Sequence, residues 1–299
     1  MKDEINNYFF KERINVLSLF NGMGTLRQAM YNLNIKVDKY YSSEIKPYAN
    51  QLQQYHFPDV IQVGDINNWK EWDIDWAKID FIGSGSPCQD LSIAGNRAGL
   101  NGSRSSLFWV FIDILNHVKK LNPDVLFLQE NVCSASKKDV GIMSRALGVY
   151  PVKINSKLVT AQKRCRYYWT NMRTKKTLFD VVTDIPHPKD RSILLKNIIE
   201  SGEVDSDKST ALLEKNARAL HFTDDVKFQR YAKKRQTSVP GMVTFVREGD
   251  KLRLFTQTEL ERLQGFPDGY TSILSYNKAA SLLGDGWTLP VIEHILSFL

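Results

Sequence analysis

The stretch from Asn15 to Tyr31 constrains this chain more than any other. Asn15–Phe20 (NVLSLF) is a short apolar run that stops at Asn21-Gly22-Met23-Gly24, and Thr25–Tyr31 (TLRQAMY) follows with helical composition. Strand, glycine turn and helix in that order open an α/β fold. The alternation then repeats. Val37–Ser42 reads as a second strand ending at Ser43-Glu44, and further strands are expected at Asp80–Gly83, Asp124–Gln129 and Ile154–Thr160. Between them, Leu107–Lys120 carries apolar residues at helical spacing. Strands separated by helices imply a mostly parallel sheet covered on both faces.

The text changes after about Arg173. Residues 174–253 are polar, with Pro186, Pro188, Gly202, Pro240 and Gly241 and no long apolar strand, and they read as a smaller inserted region. Thr256–Gln264 returns to a helical pattern, and Leu289–Leu299 is an amphipathic closing helix. The expected organisation is therefore a core over 1–173, an insertion over 174–253, and a part over 254–299 that completes the core. No apolar run approaches the roughly 20 residues that span a bilayer. The N-terminus MKDEINNYFFKER is charged on both sides of its aromatic patch and does not read as a signal peptide, so a soluble cytoplasmic protein is expected. Three scattered cysteines and five scattered histidines show neither a disulfide framework nor a metal-ligand pair. The net charge of +7 is concentrated: residues 101–176 hold 14 Lys/Arg against 4 Asp/Glu, while 1–100 and 177–299 balance at −2 and −1. A basic middle stretch suits a polyanionic partner, or is simply a solvated basic face.

Four clusters carry candidate chemistry. Phe20–Thr25 with Glu44 about 20 residues on is a glycine loop followed by an acid suited to ribose hydroxyls, or else a plain strand-to-helix turn. Arg27 stands where a dinucleotide fingerprint needs another glycine, which weighs against a nicotinamide enzyme. Gly83-Ser84-Gly85-Ser86-Pro87-Cys88-Gln89 presents a cysteine in a glycine-rich loop after a strand, the place for a nucleophile, although most free cysteines are small apolar fillers. Glu130 follows the apolar run Val125–Leu128, where an unpaired charge would be costly. Gln162, Arg164 and Arg166 alternate, so one strand face could direct all three at a single site, or they form a basic edge.

PCQ at 87–89, ENV at 130–132, QxRxR at 162–166 and RLQGFP at 262–267 occur in the order found in cytosine-C5 DNA methyltransferases, which this chain resembles. FNGMGT at 20–25, SEI at 43–45 and GDI at 64–66 look like that family's cofactor motifs. SPCQDLS, RSSLFW at 104–109 and LGDGWTLPVIEHIL are most similar to the animal de novo branch, whereas Asp285-Gly286 departs from the Asn common in bacterial members. The resemblance implies a Rossmann-like class I methyltransferase fold of α/β type, with 174–253 as a target-recognition region. It implies transfer of a methyl group from S-adenosylmethionine to a cytosine flipped out of duplex DNA. Cys88 would add to C6, Glu130 would hold N3 and the exocyclic amine, and Arg164 and Arg166 would hold O2 and a phosphate and favour the thiolate. Cofactor contacts are implied for Phe20, Gly22, Gly24, Thr25, Glu44, Asp65, Ile66, Pro87 and Leu107. Trp287 would be either a further one or a core aromatic.

DNA contacts are expected from Gln89, from Ser92, Arg97 and Arg104 in the loop over 90–106, from Gln162, and from Lys233, Lys234 and Arg235, which could equally be a solvated charge run. No metal is expected. A homodimer and a cognate restriction endonuclease are the partners the resemblance suggests beside DNA. Methylation of RNA and a catalytically dead homologue are the rivals, and intact Cys88, Glu130, Arg164 and Arg166 oppose the second.

Overall fold

The computed structural model describes residues 12–87, 106–212, 226–230, 232 and 245–299. A first strand, β1 (Ile14–Leu19), leads through the glycine loop into α1 (Thr25–Asn32). β2 (Val37–Ser43), α2 (Pro47–His56), β3 (Val60–Gln62) and β4 (Ile79–Ser84) follow. Next come α3 (Ser106–Leu121), β5 (Leu126–Val132), α4 (Lys137–Leu147), β6 (Val152–Asn155), β7 (Gln162–Lys163) and β8 (Cys165–Thr170). The principal sheet has the order β3-β2-β1-β4-β5-β8-β6. Its first five strands are mutually parallel, and β8 runs antiparallel to both of its neighbours.

Both faces of this sheet are covered, and the central strands are accordingly apolar almost without interruption. Val16, Phe81 and Leu128 face a core shared with Met23, Leu26 and Met30 of the first loop and helix. Leu17, Leu19, Ile82 and Phe127 face a second core with Phe108, Phe111, Leu115, Met143 and Trp169. The first core is closed by the end of the chain: α5 (Gln257–Gln264), α6 (Tyr276–Asp285) and α7 (Leu289–Leu296). Helix α5 starts at a capping box in which Thr256 Oγ1 accepts from the Glu259 N–H and Glu259 Oε2 accepts from the Thr256 N–H at 2.8 Å. It stops at Gly265, whose φ of 77° a side chain would resist. α7 packs on α1, and Asn32 donates to Glu293 across that contact.

Most expected elements are present within a residue or two, with three instructive differences. β5 begins at Leu126 and runs on to Val132, so Glu130 lies inside the strand. The strand expected over 154–160 ends at Asn155, because the Asn155 side chain accepts from the Lys157 N–H and turns the chain into a 3-10 segment, Ser156–Leu158. Gln162 and Arg166 belong to different strands, since the ladder breaks at Arg164.

Residues 174–253 hold only short strands. A hairpin pairs β9 (Thr174–Lys176) with β10 (Val181–Thr183), and β11 (Ser209–Thr210) pairs parallel with β7. β12 (Val246–Glu248) pairs with β13 (Lys251–Arg253), beside a small apolar cluster of Ala232, Phe245 and Leu252. Among the described residues, no helix is long and apolar enough to cross a membrane.

Candidate active site

Register alone gathers the candidate residues. Leu19 at the end of β1 pairs with Ser43 of β2 and Ser84 of β4, and Ser84 pairs with Gln129 of β5. The glycine loop, Ser43-Glu44, Gly85–Pro87 and Glu130 therefore meet at one carboxyl edge of parallel strands, where α/β folds place their ligands.

The loop after β1 is held open by its backbone. Phe20, Gly22 and Gly24 have φ of 55°, 56° and 83°, a region costly for Phe20. The fastening is Asn21. Its buried amide accepts from Ser18 Oγ at 2.6 Å and Tyr40 Oη at 3.0 Å, and donates to Ser42 Oγ at 3.0 Å and Gln53 Oε1 at 2.7 Å. Gln53 in turn donates to the Gly22 carbonyl at 2.6 Å. Burial holds the Tyr40 hydroxyl far above its usual pKa, so it stays a donor. An Asn directly after a buried strand is the only signal in the sequence; the four partners come from β1, β2 and α2.

Glu44 faces this loop. One carboxylate oxygen accepts from the Gly22 N–H at 2.9 Å, and the other from Ile45 and Lys46 N–H at 2.8 and 2.9 Å. A Cβ placed at Gly22 would meet nothing within 4 Å, so the backbone there borders open space. Asp65 is exposed and caps the following 3-10 segment, accepting from the Asn67 N–H at 2.9 Å, while Ile66 beside it is buried. Thr25 is buried, and Leu107 and Phe20 are half-buried against the second core. An open glycine backbone flanked by two acids can accept a ligand that carries hydroxyl or amine donors. Asp285, one of the two positions that depart from the common pattern, is exposed and pairs with Lys46 at 2.9 Å.

Glu130 is the centre of the second half of the site. It is 8% exposed, and its carboxylate pairs with Arg166 Nε at 2.8 Å and accepts from Trp287 Nε1 at 3.1 Å. The Trp287 indole rests on Gly85, where a Cβ would lie 2.7 Å from Nε1. Trp287 thus packs at the edge of the first core and also fixes a carboxylate. Ser86 is anchored from β5, accepting from Gln129 Nε2 at 3.0 Å and from Asn131 Nδ2 at 3.3 Å. Pro87 follows it, half-buried. Cys88, Gln89, Ser92, Arg97, Arg104, Lys233, Lys234 and Arg235 lie outside the described residues.

Two members of the QxRxR run differ from expectation. Gln162 is fully buried: its amide nitrogen donates to the Leu263 carbonyl at 2.8 Å and Gln264 Oε1 at 3.0 Å, and its oxygen accepts from the Leu212 N–H at 3.1 Å. The expectation that it touches DNA is corrected, because its donors and acceptor bind other parts of the chain. Arg164 is 3% exposed and donates to the carbonyls of Leu212, Gly284 and Gly286 at 2.9, 3.2 and 2.9 Å. It therefore joins the inserted region to the α6–α7 junction that carries Trp287. Arg166 alone of the three meets Glu130.

A seven-stranded, mostly parallel sheet with a glycine loop and an edge of polar groups defines a Rossmann-like methyltransferase fold. The chain belongs to the C-5 cytosine-specific DNA methylase family, whose model matches residues 14–149 and 149–299. It is 29% identical over 211 residues to the type II methyltransferase M.NgoBV of Neisseria gonorrhoeae, an alignment covering 64% of this chain and 47% of that protein. The chain thus spans about half the length of that relative. With M.HpaII of Haemophilus parainfluenzae it shares 26% identity over 335 aligned positions, 96% of this chain and 89% of the relative. Among solved structures, a DNMT2 variant from Spodoptera frugiperda matches with a TM-score of 0.60 at 20% identity, over 95% of this chain and 99% of that one.

Proposed function

We propose that this chain methylates carbon 5 of cytosine in duplex DNA, with S-adenosylmethionine as the methyl donor and Cys88 as the nucleophile. The observation that carries the reading is Glu130, a largely buried carboxylate held by Arg166 and Trp287 beside the strand end that leads into Cys88. A carboxylate fixed in this way is suited to a neutral ring that acquires charge during reaction.

The cytosine is first extruded from the stack, at a cost of a few kcal/mol. Cys88 then bonds to C6, which makes C5 nucleophilic; a proton shared between Glu130 and N3 neutralises the charge that develops on the ring, and Glu130 accepts from the exocyclic amine. Arg166, with Arg164 behind it, supplies positive charge toward O2, the neighbouring phosphate and the thiolate. S-adenosylmethionine supplies an electrophilic methyl group. Glu44 and the Gly22–Gly24 backbone hold its ribose and methionine parts, Phe20 and Ile66 flank the adenine, and Asp65 takes the adenine amine; Thr25, Pro87, Leu107 and Trp287 complete the surround. Water takes the C5 proton, the C5–C6 double bond re-forms and Cys88 leaves as the thiolate, which ends the cycle. Gln89, Ser92, Arg97 and Arg104 contact DNA around the flipped base, and Lys233, Lys234 and Arg235 contribute to target choice.

Within the family, the SPCQDLS and LGDGWTLPVIEHIL segments favour a likeness to the animal de novo branch in the catalytic core. The relatives named type II methyltransferases favour a cognate endonuclease as functional partner; a homodimer is tested by light scattering. Duplex containing 5-fluorocytosine should trap the parent covalently and leave Cys88→Ala free. Trapping of that variant, or trapping lost only in Cys133→Ala or Cys165→Ala, overturns the assignment. Bisulfite sequencing of plasmid from expressing cells, with tRNA as parallel substrate, tests the reaction and the nucleic acid.

A further inference from the structure

Cys133 and Cys165 are 32 positions apart in sequence, and the sheet brings them together. β5 and β8 are antiparallel with Val132 opposite Arg166, so one step further along the ladder Cys133 stands opposite Cys165. Both are free thiols, both are half-buried, and they hydrogen-bond to each other. Neither takes part in the chemistry assigned above. Their setting is nonetheless close to it: Cys165 lies between Arg164 and Arg166, its carbonyl accepts from Arg166 Nη1 at 2.8 Å, and Cys133 lies three residues beyond Glu130. Lys153 and Arg166 are the cations facing the pair.

We propose that Cys133 and Cys165 form a reversible intramolecular disulfide, a modification site that adjusts the Glu130–Arg166 pair. The two thiols divide the roles. The Cys133 S–H donates to Cys165, which brings the Cys165 thiol down to about 7, with Lys153 and Arg166 adding to the effect; the same hydrogen bond, together with burial, raises Cys133. Cys165 is the attacking thiolate and Cys133 the resolving thiol. With a low-molecular-weight disulfide as oxidant, the Cys165 thiolate attacks one sulfur, forms a mixed disulfide and expels one small thiolate. Cys133 then gives up its proton, and its sulfur attacks Sγ of Cys165 and expels the second. Two protein thiols are oxidised by two electrons, and one external disulfide is reduced to two thiols. Closing a thiol contact to a bond of about 2.05 Å moves the two sulfurs together by roughly 1 Å or more and fixes the strand ends that carry Glu130 and Arg166 in one geometry. A displacement of that order beside a reacting centre can cost about 100-fold in rate.

The regulatory part rests on the proposed methylation; the disulfide itself does not. Full-length reduced protein is exposed to oxidised glutathione, and non-reducing peptide maps are read by mass. The expected result is one peptide pair linked through Cys133 and Cys165, reversed by dithiothreitol, with Cys133→Ser instead accumulating glutathione on Cys165. In the reduced protein, alkylation of Cys165 should rise with pH to half its maximum near 7, as the reactive thiolate forms, and Cys133→Ala, which removes the S–H donor, should move that midpoint upward. Absence of the linked pair, or linkage through Cys88, overturns the site. Equal loss of methylation by the parent and by Cys133→Ser/Cys165→Ser under oxidant overturns the regulation. If the linked pair forms but reduced protein fails to trap 5-fluorocytosine, it is the methylation reading that falls.

Discussion

Substituting Gly85 by Ala tests the site through a single methyl group. An ideal Cβ there would sit 2.7, 3.1 and 3.2 Å from Nε1, Cε2 and Cζ2 of Trp287, against the 3.5–4.0 Å that carbon contacts prefer. The indole has to retreat by roughly 0.8 Å, and the closest atom is the one that donates to Glu130 at 3.1 Å. A shift of that size can take the donor as far as about 3.9 Å from its acceptor, beyond hydrogen-bond reach. A bond to a charged acceptor is worth about 1.5–3 kcal/mol, equivalent to about 10- to 150-fold in rate. Glu130 keeps its 2.8 Å pair with Arg166, so the lower end, about tenfold in kcat/KM, is expected. The assay is incorporation of labelled methyl groups into duplex DNA, with thermal unfolding in parallel. Trp287→Phe removes the same donor and leaves room for the new methyl, so Gly85→Ala/Trp287→Phe should be no worse than Trp287→Phe alone. Parent-like activity in Gly85→Ala, or multiplicative losses in the double variant, would refute the claim that this indole positions Glu130.

Glu44→Ala should weaken S-adenosylmethionine binding by about 1.5–3 kcal/mol in calorimetry, and unchanged affinity would remove Glu44 from the cofactor site. Asn21→Ala leaves several buried polar groups without partners and should lower stability by about 1–3 kcal/mol in urea unfolding, with weakened cofactor binding because the Gly22 carbonyl loses its organised partner, Gln53. Replacing Lys233, Lys234 and Arg235 together by Ala should change which cytosines are methylated if they read bases, each contact being worth about 1–3 kcal/mol, or reduce only the salt slope of binding if they touch phosphates. Bisulfite maps and binding at two salt concentrations separate these outcomes, and no change in either sends the recognition role elsewhere.

Local patterns in the sequence were enough for β1, the glycine turn and α1, because strand, turn and helix signals fall within a few residues of one another. The same holds for α5, where Thr256 and Glu259 are a capping box readable as text. What was not legible depends on pairing between distant segments. The alternation of Gln162, Arg164 and Arg166 suggests one strand face toward DNA, yet Leu212, Leu263 and Gln264 converge on Gln162 from 50 or more positions away. Trp287 could not be assigned between core and site, since its packing on Gly85 and its bond to Glu130 cross 157 positions. The thiol pair was invisible for the same reason: no spacing rule relates Cys133 to Cys165 until β5 and β8 are in register.

The closure of the first core by α5–α7 has a consequence for how the chain reaches this state. Asn32 meets Glu293 across 261 positions, and Tyr270 donates to the Met23 carbonyl across 247. Met23, Leu26 and Met30 rest on Val16, Phe81 and Leu128 of the sheet, but the outer part of this core is completed only when the last helices dock, so this half of the fold forms by slow, non-local closure. A chain arrested before residue 255 would lack the C-terminal half of this core, and the apolar surface left exposed would recruit a chaperone or aggregate. Conversely, a backbone cut between 212 and 245 leaves each core segment whole, and the two pieces, refolded together, should reassemble through the α1–α7 contact into one particle.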